Sequence, residues 1–179
     1  MSEQPPTPRA SADDESVDIQ PRPAALVARR ATLIAALLRR TALELGLTEG
    51  DPAAERFDLA AWTAAEGLPA LATEEEAAAL TAPLGALDTI QVEDATWEAE
   101  ALVALAWSLG LIETMPPYDE IANPLVALDA TPVPWDSLAK FASSAKLRSV
   151  EPLATERERA EVWRWRSLME MAKRGAAAD

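Results

Sequence analysis

From Pro23 onward the hydrophobic residues fall into stretches of helical period, separated by glycines, prolines and clusters of acids. In "AALVARRATLIAALLRRTALELGL" Leu26, Val27, Leu33, Ile34, Leu37, Leu38 and Leu45 recur at helical spacing, with Arg29, Arg30, Arg39 and Arg40 on the other side. That pattern predicts an amphipathic helix over about 24–45. A second is predicted over 52–66, with Pro52 in the first turn, where proline is tolerated, and Phe57, Ala61 and Trp62 facing in. A third begins at Thr73, which stands at capping-box spacing from Glu76, and fades near Pro83. The segment "PWDSLAKFASSAKL" predicts a short helix over about 135–146. The last helix is predicted over 154–173, with Val162, Trp165, Leu168, Met169 and Ala172 inward. Gly46-Leu47, Gly67-Leu68 and Gly110-Leu111 each close an apolar stretch, as a left-handed glycine cap followed by a hydrophobic contact does.

The least ordinary stretch is "ALVALAWSLGLIETMPPYDE", residues 101–120, where an almost wholly apolar run stops at Gly110 and a diproline follows. It predicts a helix over about 94–110, with Asp94 or Thr96 as cap, Leu102, Leu105 and Leu109 on one face, and Trp97 and Trp107 bracketing its length. Such a helix is apolar on every side and too short for a bilayer, so it is expected to be buried on every side. Pro116 and Pro117 forbid its continuation, and residues 118–134 read as loop with at most a short strand. The expected fold is therefore all-α or nearly so: a single-domain orthogonal bundle of five to six helices around the helix at 94–110. The domain is expected over 23–175, with an acidic, proline-rich disordered tail at 1–22 and a disordered end at 176–179.

Composition changes this picture mainly by exclusion. The 179 residues include neither cysteine nor histidine, which removes disulfides, thiolate nucleophiles, the usual neutral-pH general base and the commonest transition-metal ligands. The net charge of −14 opposes long-range attraction to nucleic acid or anionic lipid. Charge is unevenly placed: residues 21–40 carry five arginines and no acid, 41–138 carry nineteen acids against Arg56, and 139–179 carry nine bases against six acids. The two basic segments are expected to fold back against the acidic middle. The N-terminal residues lack a basic region followed by an apolar one, so no signal peptide is expected, and the cytoplasm of a bacterium is the expected location.

Three constellations invite a chemical reading. Trp97 and Glu100, with Glu98 between, place a carboxylate near an indole, which would raise its pKa as a general acid needs; a plain N-terminal helix acid is the simpler reading. "WRWR", Trp163 to Arg166, suggests base stacking and phosphate contacts, but residues two apart on a helix point to nearly opposite sides, so one indole is expected in the core and the other at its rim under arginine stems. "PPYDE" sets Tyr118, Asp119 and Glu120 on a rigid loop that a hard cation would accept, although adjacent acids after a diproline are ordinary solvated loop chemistry. No phosphate loop, nucleophile elbow or metal-ligand spacing accompanies them.

The segment "TWEAEALVALAWSLGLIETMPPYDE" resembles the core signature of a bacterial family described as domain of unknown function 4272. On that match Trp97, Glu100, Ala101, Leu102, Leu105, Trp107, Leu109 and Gly110 stand at family positions, with Ser108 where Ala is more usual. The Arg-rich first helix and residues 147–166 are similar to the flanking regions. The resemblance implies a small, mostly helical cytosolic domain and attaches no activity to any residue. The expected function is a non-catalytic protein-binding module with no cofactor, no metal and no membrane or nucleic-acid partner. Its candidate surface comprises Trp97, Glu100, Tyr118, Asp119, Glu120, Trp163 and Arg166. A carboxylate-based hydrolase or metal-dependent enzyme using Glu98, Glu100, Asp119 and Glu120 is the alternative.

Overall fold

The computed structural model describes residues 20–176. The expected tail at 1–22 and end at 176–179 therefore fall almost wholly outside the described residues. Within them the chain is all-α, with no strand: α1 (Ala24–Glu44), α2 (Pro52–Ala65), α3 (Glu74–Thr81), α4 (Thr89–Ser108), α5 (Leu125–Asp129), α6 (Leu138–Ser144) and α7 (Val150–Ala176). A single 3-10 turn, Leu68–Leu71, joins α2 to α3. Seven α-helices replace the five to six expected, because the region read as loop or short strand contains α5. Its first turn follows Asn123-Pro124, where the Asn123 side chain accepts a hydrogen bond from the Leu125 amide at 3.0 Å.

Helix ends follow local chemistry closely. Thr73 and Glu76 form both bonds of their capping box. Gly46, Gly67 and Gly110 all adopt left-handed φ, between 68° and 70°. At Gly46 and Gly110 the following amide completes the full motif, Leu47 N to Ala42 O at 2.8 Å and Leu111 N to Ala106 O at 2.9 Å. The expected start of the 94–110 helix is corrected. Asp88, not Asp94 or Thr96, caps α4 through a reciprocal pair with Gln91, which lengthens the helix by a polar turn that lacks an apolar period.

The core has two lobes, and α1 is the wall between them. On one side Ala28, Ala31, Ile34 and Ala35 meet Leu102, Val103 and Ala106 of α4, with Ala122, Ala127 and Ala142 closing the lobe. On the other, Leu33, Ala36 and Leu37 meet Leu59 and Trp62 of α2, Leu68, Leu80 and Leu138. The alanines let α1 and α4 approach closely, so the C-terminal half of α4 is dry around most of its circumference, as expected for the segment ending at Gly110. Its N-terminal half is not: Trp97 is 74% exposed. The centre of the fold is thus the α1–α4 pair, not α4 alone.

Arg39 and Arg40 of α1 are not on a solvent face. Arg40 is buried, ion-paired to Glu44 at 2.7 Å, and donates to the carbonyls of Ala82 and Pro83. Arg39 donates to the carbonyls of Leu128 and Pro132, each at 2.8 Å. A long amphipathic side chain on the core helix thereby ties the loops before α4 and after α5 to the centre. Phe57, expected inward, is exposed, and Leu59 takes the inward position beside Trp62.

Candidate functional site

The diproline leaves α4 at a fixed angle because Arg148 closes the corner. Its Nε donates to Trp107 O at 2.6 Å, its Nη2 to Ile112 O at 2.7 Å, and its guanidinium lies 4.9 Å from the Trp107 ring centre. A cation over the last carbonyls of a helix is placed where the dipole favours it. The chain then runs through Tyr118 and returns to α4, where Glu100 accepts a hydrogen bond from the Ala122 amide at 2.8 Å.

This loop is the seat of α7. Tyr118 stacks on Trp163 with ring centres 6.3 Å apart and donates its hydroxyl to Glu156 O at 3.3 Å. Burial, reinforced by the neighbouring Glu156 carboxylate, pushes the Tyr118 phenol above its ordinary pKa, so it stays a neutral donor. Arg166 covers the other part of Trp163 at 5.8 Å. Of the seven expected surface residues, Tyr118, Trp163 and Arg166 therefore meet at one contact. Glu100 holds the far end of the same loop, Asp119 and Glu120 are exposed upon it, and Trp97 lies one turn before Glu100 on α4.

Past that seat α7 leaves the domain. Leu153, Glu156, Ala160 and Trp163, spaced along one face, are half-buried, but the same face continues as Ser167, Glu170 and Arg174, all exposed. The second stripe, Val162, Trp165, Leu168 and Met169, was expected inward and is instead exposed; Trp165 is 62% accessible. Neither tryptophan of "WRWR" enters the core, and the two do point apart. The expected folding-back of basic segments holds for α1, where Arg30 bonds Glu76 at 2.7 Å and lies 3.6 Å from Glu98. It fails for α7, whose ion pairs Arg157–Glu161, Arg159–Glu156 and Lys173–Glu170 are all within the helix.

Sequence reasoning missed Trp135. It has φ of 79°, a left-handed conformation that a bulky residue rarely takes, in the third place of a Val133–Asp136 turn. Pro134 suits the second place. The Asp136 amide donates to Val133 O at 3.0 Å, the Val133 amide to the Asp136 carboxylate at 3.1 Å, and Trp62 Nε1 to Asp136 O at 2.8 Å. A glycine in the third place would have announced the turn; an aromatic there hid it. Trp135 separates a cleft of about 390 Å³, walled by Leu43, Leu47, Asp58 and Leu59, from one of about 580 Å³ beside Thr131, Lys140 and Phe141. Neither cleft is lined by Glu98, Glu100, Asp119 or Glu120. Among the described residues no three acids are grouped to hold a metal ion, and no helix is long and apolar enough to cross a membrane.

Fold and surface together define a small all-α domain with a projecting C-terminal helix. The chain belongs to the family described as "Domain of unknown function (DUF4272)", whose family model matches residues 5–178. No curated protein and no solved structure matches it.

Proposed function

We propose that this protein is a non-catalytic binding module of the cytoplasm that engages a protein partner through the free part of α7. The carrying observation is the exposed stripe Val162, Trp165, Leu168 and Met169 on a helix whose root is locked by Tyr118 and Trp163. A monomeric soluble domain rarely leaves a contiguous apolar stripe on a projecting element, and an amphipathic helix that offers anchors three and four residues apart is a recurrent recognition element. The absence of cysteine suits a reducing compartment, and the net charge of −14 supports a protein rather than a nucleic-acid partner.

The carboxylates on which the enzymatic alternative depends have structural tasks or open solvent around them. Glu98 faces Arg30, and Glu100 holds the Ala122 amide. No observation favours that second reading.

A photo-crosslinking residue placed at Leu168 in the full chain, and in parallel at exposed Glu49, tests the proposal in the native host. A protein adduct formed at position 168 and not at 49 is the expected result. Equal yields at both positions, or none at either, would overturn it.

A further inference from the structure

Two exposed surfaces of this chain complement each other. The first is the N-terminal half of α4. Ile90 and Trp97 stand seven residues apart on one helical face with Glu93 and Asp94 between them, and both apolar side chains are about two-thirds or more exposed, at 68% and 74%. Residues 88–100 carry five acids and no base. The second is the free half of α7. Its stripe of Val162, Trp165, Leu168 and Met169 is flanked by Arg164, Arg166 and Lys173, the last paired to Glu170, and residues 162–176 carry four bases against Glu170 alone.

Each surface thus presents large apolar anchors inside charge of predominantly one sign, and the predominant signs are opposite. Opposed charge around an apolar centre gives register and excludes like-charged alternatives. The two surfaces cannot meet within one molecule. α7 is one unbroken helix from Val150 to Ala176, fixed to its own domain at Glu156 and Trp163, so its far half cannot turn back onto α4 without breaking.

We infer that the occupant of the α7 stripe is a second copy of this chain: the basic free half of α7 in one molecule docks on the acidic Ile90–Trp97 face of α4 in another. Exchanged reciprocally, the contact closes as a two-fold dimer in which each copy supplies both surfaces. The inference rests on the binding-module reading above and names its partner.

Analytical ultracentrifugation of the full chain over a concentration series is the test. Self-association that weakens as salt rises from about 0.05 to about 0.5 M is expected, because the charged rims are solvent-facing. Two charge reversals, Arg164→Glu with Arg166→Glu on α7, and Glu93→Arg with Asp94→Arg on α4, each weaken it by roughly tenfold or more, since like charges then face each other. The chain carrying all four substitutions recovers it. Circular dichroism confirms that each variant keeps its helix content, as exposed substitutions should. The crosslinker at Leu168 should also give an adduct of twice the chain mass, whose joined peptide contains residues 89–101.

A chain that is monomeric throughout, or whose association survives the α4 reversal, overturns the inference. An adduct at position 168 with a different protein, from a chain that does not self-associate, overturns it while leaving the binding-module reading intact. No adduct at position 168 overturns both.

Discussion

α1 and α7 begin from the same recipe, an apolar stripe with arginines beside it, and end in opposite situations. α1 is the wall between both lobes of the core, whereas α7 is covered only at its root. The difference lies in what the arginines find. On α1 no acid stands at three- or four-residue spacing from Arg39, and Arg40 shares its single neighbour Glu44 with a loop, so both guanidinium groups reach backbone carbonyls 42 to 93 residues away. On α7 Arg157, Arg159 and Lys173 are answered by glutamates one turn off, and such pairs ask nothing of the tertiary structure. A helix whose charges are satisfied locally is free to project; one whose charges are not is drawn into the fold.

The largest test of that contrast is Arg40→Ala. It strands Glu44 without its cation, while the Ala82 and Pro83 carbonyls keep only Arg56 and the Ala86 amide as donors, so denaturant titration should show a loss of about 3–5 kcal/mol. Combining Arg40→Met with Glu44→Leu should recover much of it, because the unpaired buried charge is then gone.

Next come the apolar stripes. Leu33→Ala in the wall of α1 should cost about 2–5 kcal/mol through lost burial and the cavity left behind. Leu168→Ala on α7 should stay within about 0.5 kcal/mol when the chain is dilute. Equal losses would mean that α7 is part of the core and would end the comparison.

Glu44 supplies a pH-dependent version. Burial alone would raise its carboxyl, but Arg40 and the amides of Gly85 and Leu87 outweigh that and hold it below its ordinary value. An unfolded glutamate titrates near about 4.3, so its contribution is complete above that pH and disappears as pH falls through the lower folded value. Between the two the unfolded chain binds the extra proton, and stability rises with pH. Glu44→Gln should flatten this part of a stability profile measured by denaturant titration across pH.

The smallest effect concerns Trp135, whose left-handed backbone is independent of either helix. Glycine there should be more stable than alanine by about 1 kcal/mol in thermal unfolding, the reverse of their order within a helix, because alanine keeps the strain that glycine relieves.

Most of the fold was legible where the governing chemistry is local. The capping box at Thr73, the three left-handed glycines, the dry segment ending at Gly110 and the all-α class are all contained in short windows of sequence. The start of α4 was missed because Asp88 and Gln91 cap a turn with no apolar period, and α5 because five residues are too few to show one. Of the candidate surface, the sequence contained the residues but not their arrangement. Nothing in "PPYDE" or "WRWR" says that Tyr118 stacks on Trp163, and the spacing of Trp165 and Leu168 marks an apolar face without marking what covers it.

The sequence by itself determined the all-α class, the capping box at Thr73, the glycine stops, and which chemistries are excluded by the lack of cysteine and histidine, since capping, glycine φ and residue type act within a few residues. Only the tertiary structure decided which of two similar amphipathic helices is buried. Periodicity shows that a helix has an apolar face; whether anything covers it depends on the volume enclosed by all the others, and both lobes of that space are filled by residues that precede α7.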